Sequence, residues 1–111
     1  MTVNEAAKAL KLEVLTCQNQ VEREIESVYC CDLLSFVMGR APANSAWVTV
    51  MGNVNAIAVA MLCDVACVVL AENAVLDEEA KPKAEQNEIV VLRSSLPVFE
   101  TATAIARELV P

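Results

Sequence analysis

The side chains able to do chemistry fall in a few short clusters separated by apolar sequence. Asp32 and Glu72 each follow a hydrophobic run, and together they could form an acidic pair for proton transfer or cation binding. Neither has further ligands beside it, so no catalytic or metal-binding role is assigned to them. Gly52-Asn53-Val54-Asn55 sets a glycine, which permits a tight turn or close ligand approach, beside asparagines that can cap a helix or orient a ligand. Ser94-Ser95, just ahead of Pro97, reads the same two ways, as a helix start and as a binding group.

The 5 cysteines offer metal or redox chemistry on paper. In a strand, however, vicinal Cys30-Cys31 would point to opposite faces, and Cys63-x-x-x-Cys67 lacks the C-x-x-C spacing of zinc and iron–sulfur sites. They read as small buried hydrophobes. The chain has no histidine, which removes the commonest general base, the histidine-dependent triads and every metal site built on imidazole. A glycine-rich phosphate loop, a Gly-x-Ser-x-Gly elbow and a dinucleotide fingerprint are all missing. The expectation is a protein with no catalytic residues, no metal and no cofactor.

Charge and size narrow the partners. With 8 Lys and Arg against 15 Asp and Glu, the net charge of −7 repels nucleic-acid backbones and anionic membranes. A chain of 111 residues that is 56% hydrophobic can bury one core and not two, so residues 1–111 are read as a single domain. The odd cysteine count and a polar start, unlike a secretory signal, fit a reducing cytoplasm. Residues 56–71 approach the length of a membrane span, but Asp64 at their middle would cost about 3 kcal/mol in hydrocarbon. That stretch is read as a buried helix, a turn and a buried strand.

The elements that must position these clusters alternate. Thr2 and Glu5 form a Thr-x-x-Glu capping box for a helix over residues 3–10. Leu12 and Val14 mark a short strand, Gln18 to Glu24 a solvated polar stretch, and residues 25–31 a strand that Asp32 closes. A short helix from Leu33 through Val37 should stop at Gly39. Strand 46–51, helix 53–62, strand 67–70, helix 77–86, strand 89–92 and helix 98–109 follow, with Pro82 making the fourth of these helices start late or kink. Short apolar strands joined by helices predict a three-layer α/β/α fold with a mainly parallel central sheet.

In such a sheet ligands bind outside the carboxyl ends of the strands. Residues 31–32, 51–55, 71–73 and 93–95 occupy those ends, giving Asp32, Gly52, Asn53, Asn55, Glu72, Asn73, Ser94 and Ser95 as the candidate ligand-binding set. The helix over 53–62 is apolar on nearly all sides, and its small residues would permit close approach of a second copy. Ala56, Val59 and Ala60 are the expected homodimer interface.

From Cys31 onward the chain resembles the DRTGG domain family. Asp32-Leu33-Leu34-Ser35 is similar to the family's Asp-Leu-Leu-Ser segment. Trp47-Val48-Thr49-Val50 followed by Asn55-Ala56-Ile57-Ala58 is similar to its strand-to-helix unit. Val68-Val69-Leu70-Ala71-Glu72-Asn73, Asp77-Glu78-Glu79 and residues 89–95 keep the family's order and spacing. The namesake residues are replaced: Asp-Arg aligns with Asn53-Val54, and Thr-Gly-Gly with Ala71-Glu72-Asn73. The resemblance implies a fold similar to the N-terminal domain of HPr kinase/phosphorylase, in a module that elsewhere accompanies CBS domains or phosphotransacetylase. It implies a non-catalytic regulatory or small-ligand-sensing role. Its stand-alone members, found near hydrogenase and signalling genes, imply the alternative of a protein-interaction subunit of a redox or hydrogenase-linked complex without a small ligand.

Overall fold

Alternation along strands and periodicity along helices sort the chain into five strands and five helices, in a computed structural model that describes residues 1–110. The strands are β1 (Glu13–Val14), β2 (Ser27–Cys30), β3 (Ser45–Thr49), β4 (Cys67–Leu70) and β5 (Val91–Arg93). The helices are α1 (Val3–Ala9), α2 (Leu34–Arg40), α3 (Val54–Cys63), α4 (Ala80–Gln86) and α5 (Val98–Leu109). The sheet runs β1-β5-β4-β3-β2, with β2 to β5 parallel and β1 antiparallel to β5. None of the described helices is long and apolar enough to cross a membrane.

Strand residues alternate between two cores. Ala46, Val48, Cys67, Val69 and Leu92 face Val3, Ala6 and Ala7 of α1 and Ile105 of α5. Trp47, Val68, Leu70 and Val91 face Val37 of α2, Ile57 of α3, and Ala80 and Ala84 of α4. Helices therefore cover both faces, which is the three-layer arrangement that the apolar strands require. Trp47 is fully buried and spends its one polar group by donating from Nε1 to the Cys31 carbonyl at 3.0 Å.

The α3 helix corrects one expectation. Ala56, Val59 and Ala60, expected at a dimer interface, are 0%, 6% and 0% exposed in the single chain. They pack into the second core, because α2 and α4 flank α3 and use up its sides as well as its sheet-facing stripe. Met61 and Leu62 are the large apolar residues that α3 leaves exposed.

Local signals set most boundaries. Thr2 Oγ1 accepts the Glu5 N–H at 3.1 Å while Glu5 Oε1 accepts the Thr2 N–H at 2.8 Å, and these bonds hold the Glu5 carboxyl below its ordinary range. Pro82 sits in the first turn of α4, where its missing N–H costs no helical bond, so the helix begins at Ala80 and not at Asp77. Gly39 does not stop α2; the helix runs on to Arg40, and Gly39 keeps a negative φ. The left-handed positions belong instead to Lys11, Cys17, Asn44, Asp64, Glu72, Asn73 and Glu88. Lys11, Asp64 and Glu88 close α1, α3 and α4, whose chains turn back through Leu12 N–H to Ala7 O, Val65 N–H to Ala60 O and Ile89 N–H to Ala84 O.

The polar stretch from Gln18 to Glu24 is tied down, not merely solvated. Val3 and Asn4 donate to the carbonyls of Arg23 and Val21, and Val21 is buried in the first core. Arg23 then reaches across the amino ends of the strands, donating to Asn44 Oδ1 from Nε at 2.9 Å and Nη2 at 2.6 Å, and to the Asp64 carbonyl at 2.6 Å. At the β1 side, the buried hydroxyl of Thr16 donates to the Ile89 carbonyl at 2.7 Å and accepts the Val91 N–H at 2.8 Å. One side chain thus does the work of a strand residue at the start of β5.

Replacing Thr16 with Val keeps the shape but orphans a buried carbonyl and a buried N–H. Urea unfolding should show a loss of roughly 1–3 kcal/mol, with Thr16→Ser retaining more of the stability than Thr16→Val. Burial also pushes the Cys67 thiol up to about 12 from an ordinary value of 9.0. Above that ordinary value the unfolded chain releases the proton and the folded chain keeps it, so stability falls as pH rises from 9.0 toward about 12. Denaturation of the reduced protein across this range should show the decline, and Cys67→Val should flatten it.

Candidate functional site

Because β2 to β5 run the same way, their carboxyl ends line one rim of the molecule, and the loops leaving those ends carry the expected binding residues, except Asn55, which lies in the first turn of α3. The hydrogen bonds divide these residues into those occupied by the fold and those left free. Asp32 Oδ1 accepts the Thr49 hydroxyl at 2.6 Å and the Val50 N–H at 3.1 Å, fastening the β2–α2 loop to the end of β3. Asn53 Oδ1 accepts the Ala56 N–H at 2.8 Å and is the N-cap of α3. Ser94 is buried, with Oγ 2.8 Å from Thr101 Oγ1, and it accepts the Leu96 N–H at 3.1 Å.

Gly52 is explained by crowding from its own chain. A Cβ there would run into the Val75 carbonyl oxygen and lie 3.0 Å from the Leu76 Cα, so the β3–α3 and β4–α4 loops meet backbone to backbone. The Asp77 N–H donates to the Gly52 carbonyl at 2.8 Å across this contact. Space that a ligand might have used is filled. Asn55, Glu72, Asn73 and Ser95 remain exposed on the rim.

An open parallel sheet has its natural crevice where successive connections leave toward opposite faces. Here β4 leads to α4 on one face and β5 leads to α5 on the other. The crevice between their ends is closed by the turn Ala71-Glu72-Asn73-Ala74. Glu72 and Asn73 have φ of 60° and 53°, and the Ala74 N–H returns to the Ala71 carbonyl at 2.9 Å, a type I′ geometry. The Glu72 N–H bonds the Leu96 carbonyl at 2.8 Å and the Asn73 N–H bonds the Ser94 carbonyl at 2.9 Å. Glycine is the usual occupant of such positions.

Two concavities border the rim. One, of about 170 Å³, is lined by Leu15, Val75, Leu76, Lys81 and Arg93. The other, of about 330 Å³, is a groove along α5 lined by Leu96, Phe99, Glu100, Thr103, Ala104 and Arg107. None of the eight expected residues lines either one. Lys81 and Arg93 were not singled out by sequence, since they lie 12 positions apart and belong to no motif. The available signal was positional, because Arg93 opens the last strand-end cluster.

The rim also exposes apolar groups that the sequence reading missed. Leu33, Val50, Val75 and Leu96 are 54%, 39%, 68% and 47% exposed, one in each loop that leaves a parallel strand, and Phe99 at the start of α5 is 75% exposed. Chemically the rim offers amide, hydroxyl and carboxylate groups among aliphatic ones, which suits recognition. Burial raises the thiols of Cys17, Cys30 and Cys63 above their ordinary value, with Glu85 adding to the effect at Cys17 and Asp32 at Cys30. Thiols shifted upward are weaker nucleophiles at neutral pH. No group of three Cys, Asp or Glu among the described residues could hold a metal ion.

Comparison with known proteins bears on this arrangement. The crystal structure of the CBS and DRTGG domains of the regulatory region of Clostridium perfringens pyrophosphatase, complexed with its activator diadenosine tetraphosphate, superimposes with a TM-score of 0.72 at 12% identity. The likeness covers 97% of this chain and 47% of that one, so the chain spans about half the length of the structure it matches. At that identity the likeness shows the fold. No curated protein sequence matches the chain. The profile of the DRTGG domain matches residues 5–108, nearly the whole sequence, and the chain belongs to the DRTGG domain family.

Proposed function

We propose that this DRTGG domain is a non-catalytic regulatory module that works as a homodimer in the cytoplasm and senses a small polar ligand at its strand-end rim. The observation that carries this reading is how the rim spends its reactive groups. Asp32 and Ser94, which could serve as base or nucleophile, are held by Thr49 and Thr101, while exposed Asn55, Glu72, Asn73 and Ser95 stay available for binding. Family membership and the regulatory setting of the Clostridium perfringens domains support the same role. Five unpaired cysteines suit a reducing compartment.

The second copy belongs on the rim. Leu33, Val50, Leu96 and Phe99 form an exposed apolar row there, and a copy related by two-fold symmetry would cover it while roofing the free polar groups. Light scattering at micromolar concentration should give about twice the 12.0 kDa chain mass, and Leu96→Asp should return it to the mass of one chain while Leu62→Asp on α3 does not. The reverse pattern would move the interface to α3. A wild-type monomer would remove the dimer and favour the alternative, a docking subunit of a redox-linked signalling complex with no small ligand.

The left-handed Glu72 gives a separate check on the rim. Because a side chain there costs roughly 1–2 kcal/mol, Glu72→Gly should raise unfolding stability by about 1 kcal/mol, part of the relief being lost to a more flexible unfolded chain. Unchanged or lower stability in urea would show that Glu72 is held by interactions that offset its backbone cost.

A further inference from the structure

We propose that the cleft between β5 and the start of α4 binds a small oxyanion, of the phosphate or carboxylate class, through Lys81 and Arg93. The inference deepens the ligand-sensing reading by naming the chemistry that the rim would take. In a chain with 8 basic residues against 15 acidic ones, two of the 8 converge on a single cavity of about 170 Å³. Arg93 is the last residue of β5, two positions after Val91, so strand alternation sets both on the face covered by α2, α3 and α4. Lys81, in the first turn of α4, approaches the same space.

The two cations are available. Arg93 donates from Nη2 to Glu13 Oε1 at 2.8 Å, but Glu13 is 59% exposed, and a pair of that kind contributes only about 0–1 kcal/mol. The single bond to Glu13 takes one of the two N–H groups of Nη2 and leaves the other, with Nε or Nη1 beside it, as a planar fork that suits carboxylate and phosphate. Lys81 makes no ion pair among the described residues. Glu85, one turn along α4, is turned to Cys17, whose N–H lies 3.3 Å from both of its oxygens. Val75 and Leu76, which line the cavity, carry backbone N–H groups with no acceptor among the described residues.

Size and lining limit the ligand. At about 30 Å³ per water the cleft seats an oxyanion with a short carbon tail, and a nucleotide would extend beyond it. Leu15 and Leu76 supply an apolar wall for such a tail. Asp77, Glu78 and Glu79, just before α4, and Glu13 beside Arg93 set a negative surround that disfavours polyanions.

Isothermal titration calorimetry of the full chain with inorganic phosphate, acetate and butyrate, each at matched ionic strength against chloride, tests the site. Saturable binding of phosphate or of a carboxylate is expected, with phosphate preference marking a phosphate head and butyrate over acetate marking use of the apolar wall. Arg93→Gln and Lys81→Gln should each weaken the preferred anion at least about tenfold, and Glu13→Gln, which breaks the ion pair but keeps Arg93, should retain or tighten it. Absence of saturable heat up to about 10 mM for all three anions overturns the site, as does an equal loss in Glu13→Gln and Arg93→Gln. A monomer that binds the anion would remove the dimer and leave the site, whereas a dimer that does not bind it would remove the site and leave the dimer.

Discussion

Parallel neighbours in a sheet need a crossover between them, and the crossover is right-handed. Here three successive crossovers march in one direction, from β2 through β3 and β4 to β5, so their helices must all land on the same face. That constraint leaves the opposite face bare, and the chain covers it with its first and last helices. Unbroken burial follows: every residue of β3 and β4 is buried, because each central strand has an apolar layer above and below it. Even Cys67, with a titratable thiol, sits fully buried because its strand position admits only uncharged groups.

The same winding determines where binding can occur. A sheet whose connections reverse in the middle opens a central crevice, but here the reversal comes at β5, where the chain crosses to the other face to make α5. The Glu72-Asn73 turn fills that gap with backbone hydrogen bonds. What remains is a shallow rim of free amides and aliphatic side chains, with the Lys81–Arg93 cleft at its β5 side. Recognition by contact, rather than chemistry inside an enclosed pocket, is what such a surface supports.

Local rules were legible where one stretch of chain contains its own answer. Thr2 and Glu5 named the first cap, the Asn53 and Asn55 pair marked the start of α3 with Asn53 proving to be its cap, and the uninterrupted apolar run from Cys67 gave β4 to the residue. The strand-end placement of Asp32, Asn55, Glu72 and Ser95 followed from parallel topology alone. Harder to see was anything decided by a distant partner. β1 is two residues long, and its pairing of Glu13 with Arg93 has no periodicity to betray it. The side-facing residues of α3 looked like an interface because sequence does not reveal that α2 and α4 flank it. Gly52 looked permissive for a ligand because the approach of Val75 comes from a loop more than twenty residues away.

The bare contact at Gly52 also bears on how an event on one part of the molecule reaches another. With no side chain between them, the two loops have no soft layer to absorb a shift, and the hydrogen bond from Asp77 to Gly52 binds them further. Val75 forms a wall of the cationic cleft, and Gly52 immediately precedes the cap of α3. A displacement of that wall is therefore handed, atom against atom, to the root of the central helix, making this junction a direct mechanical link between the two.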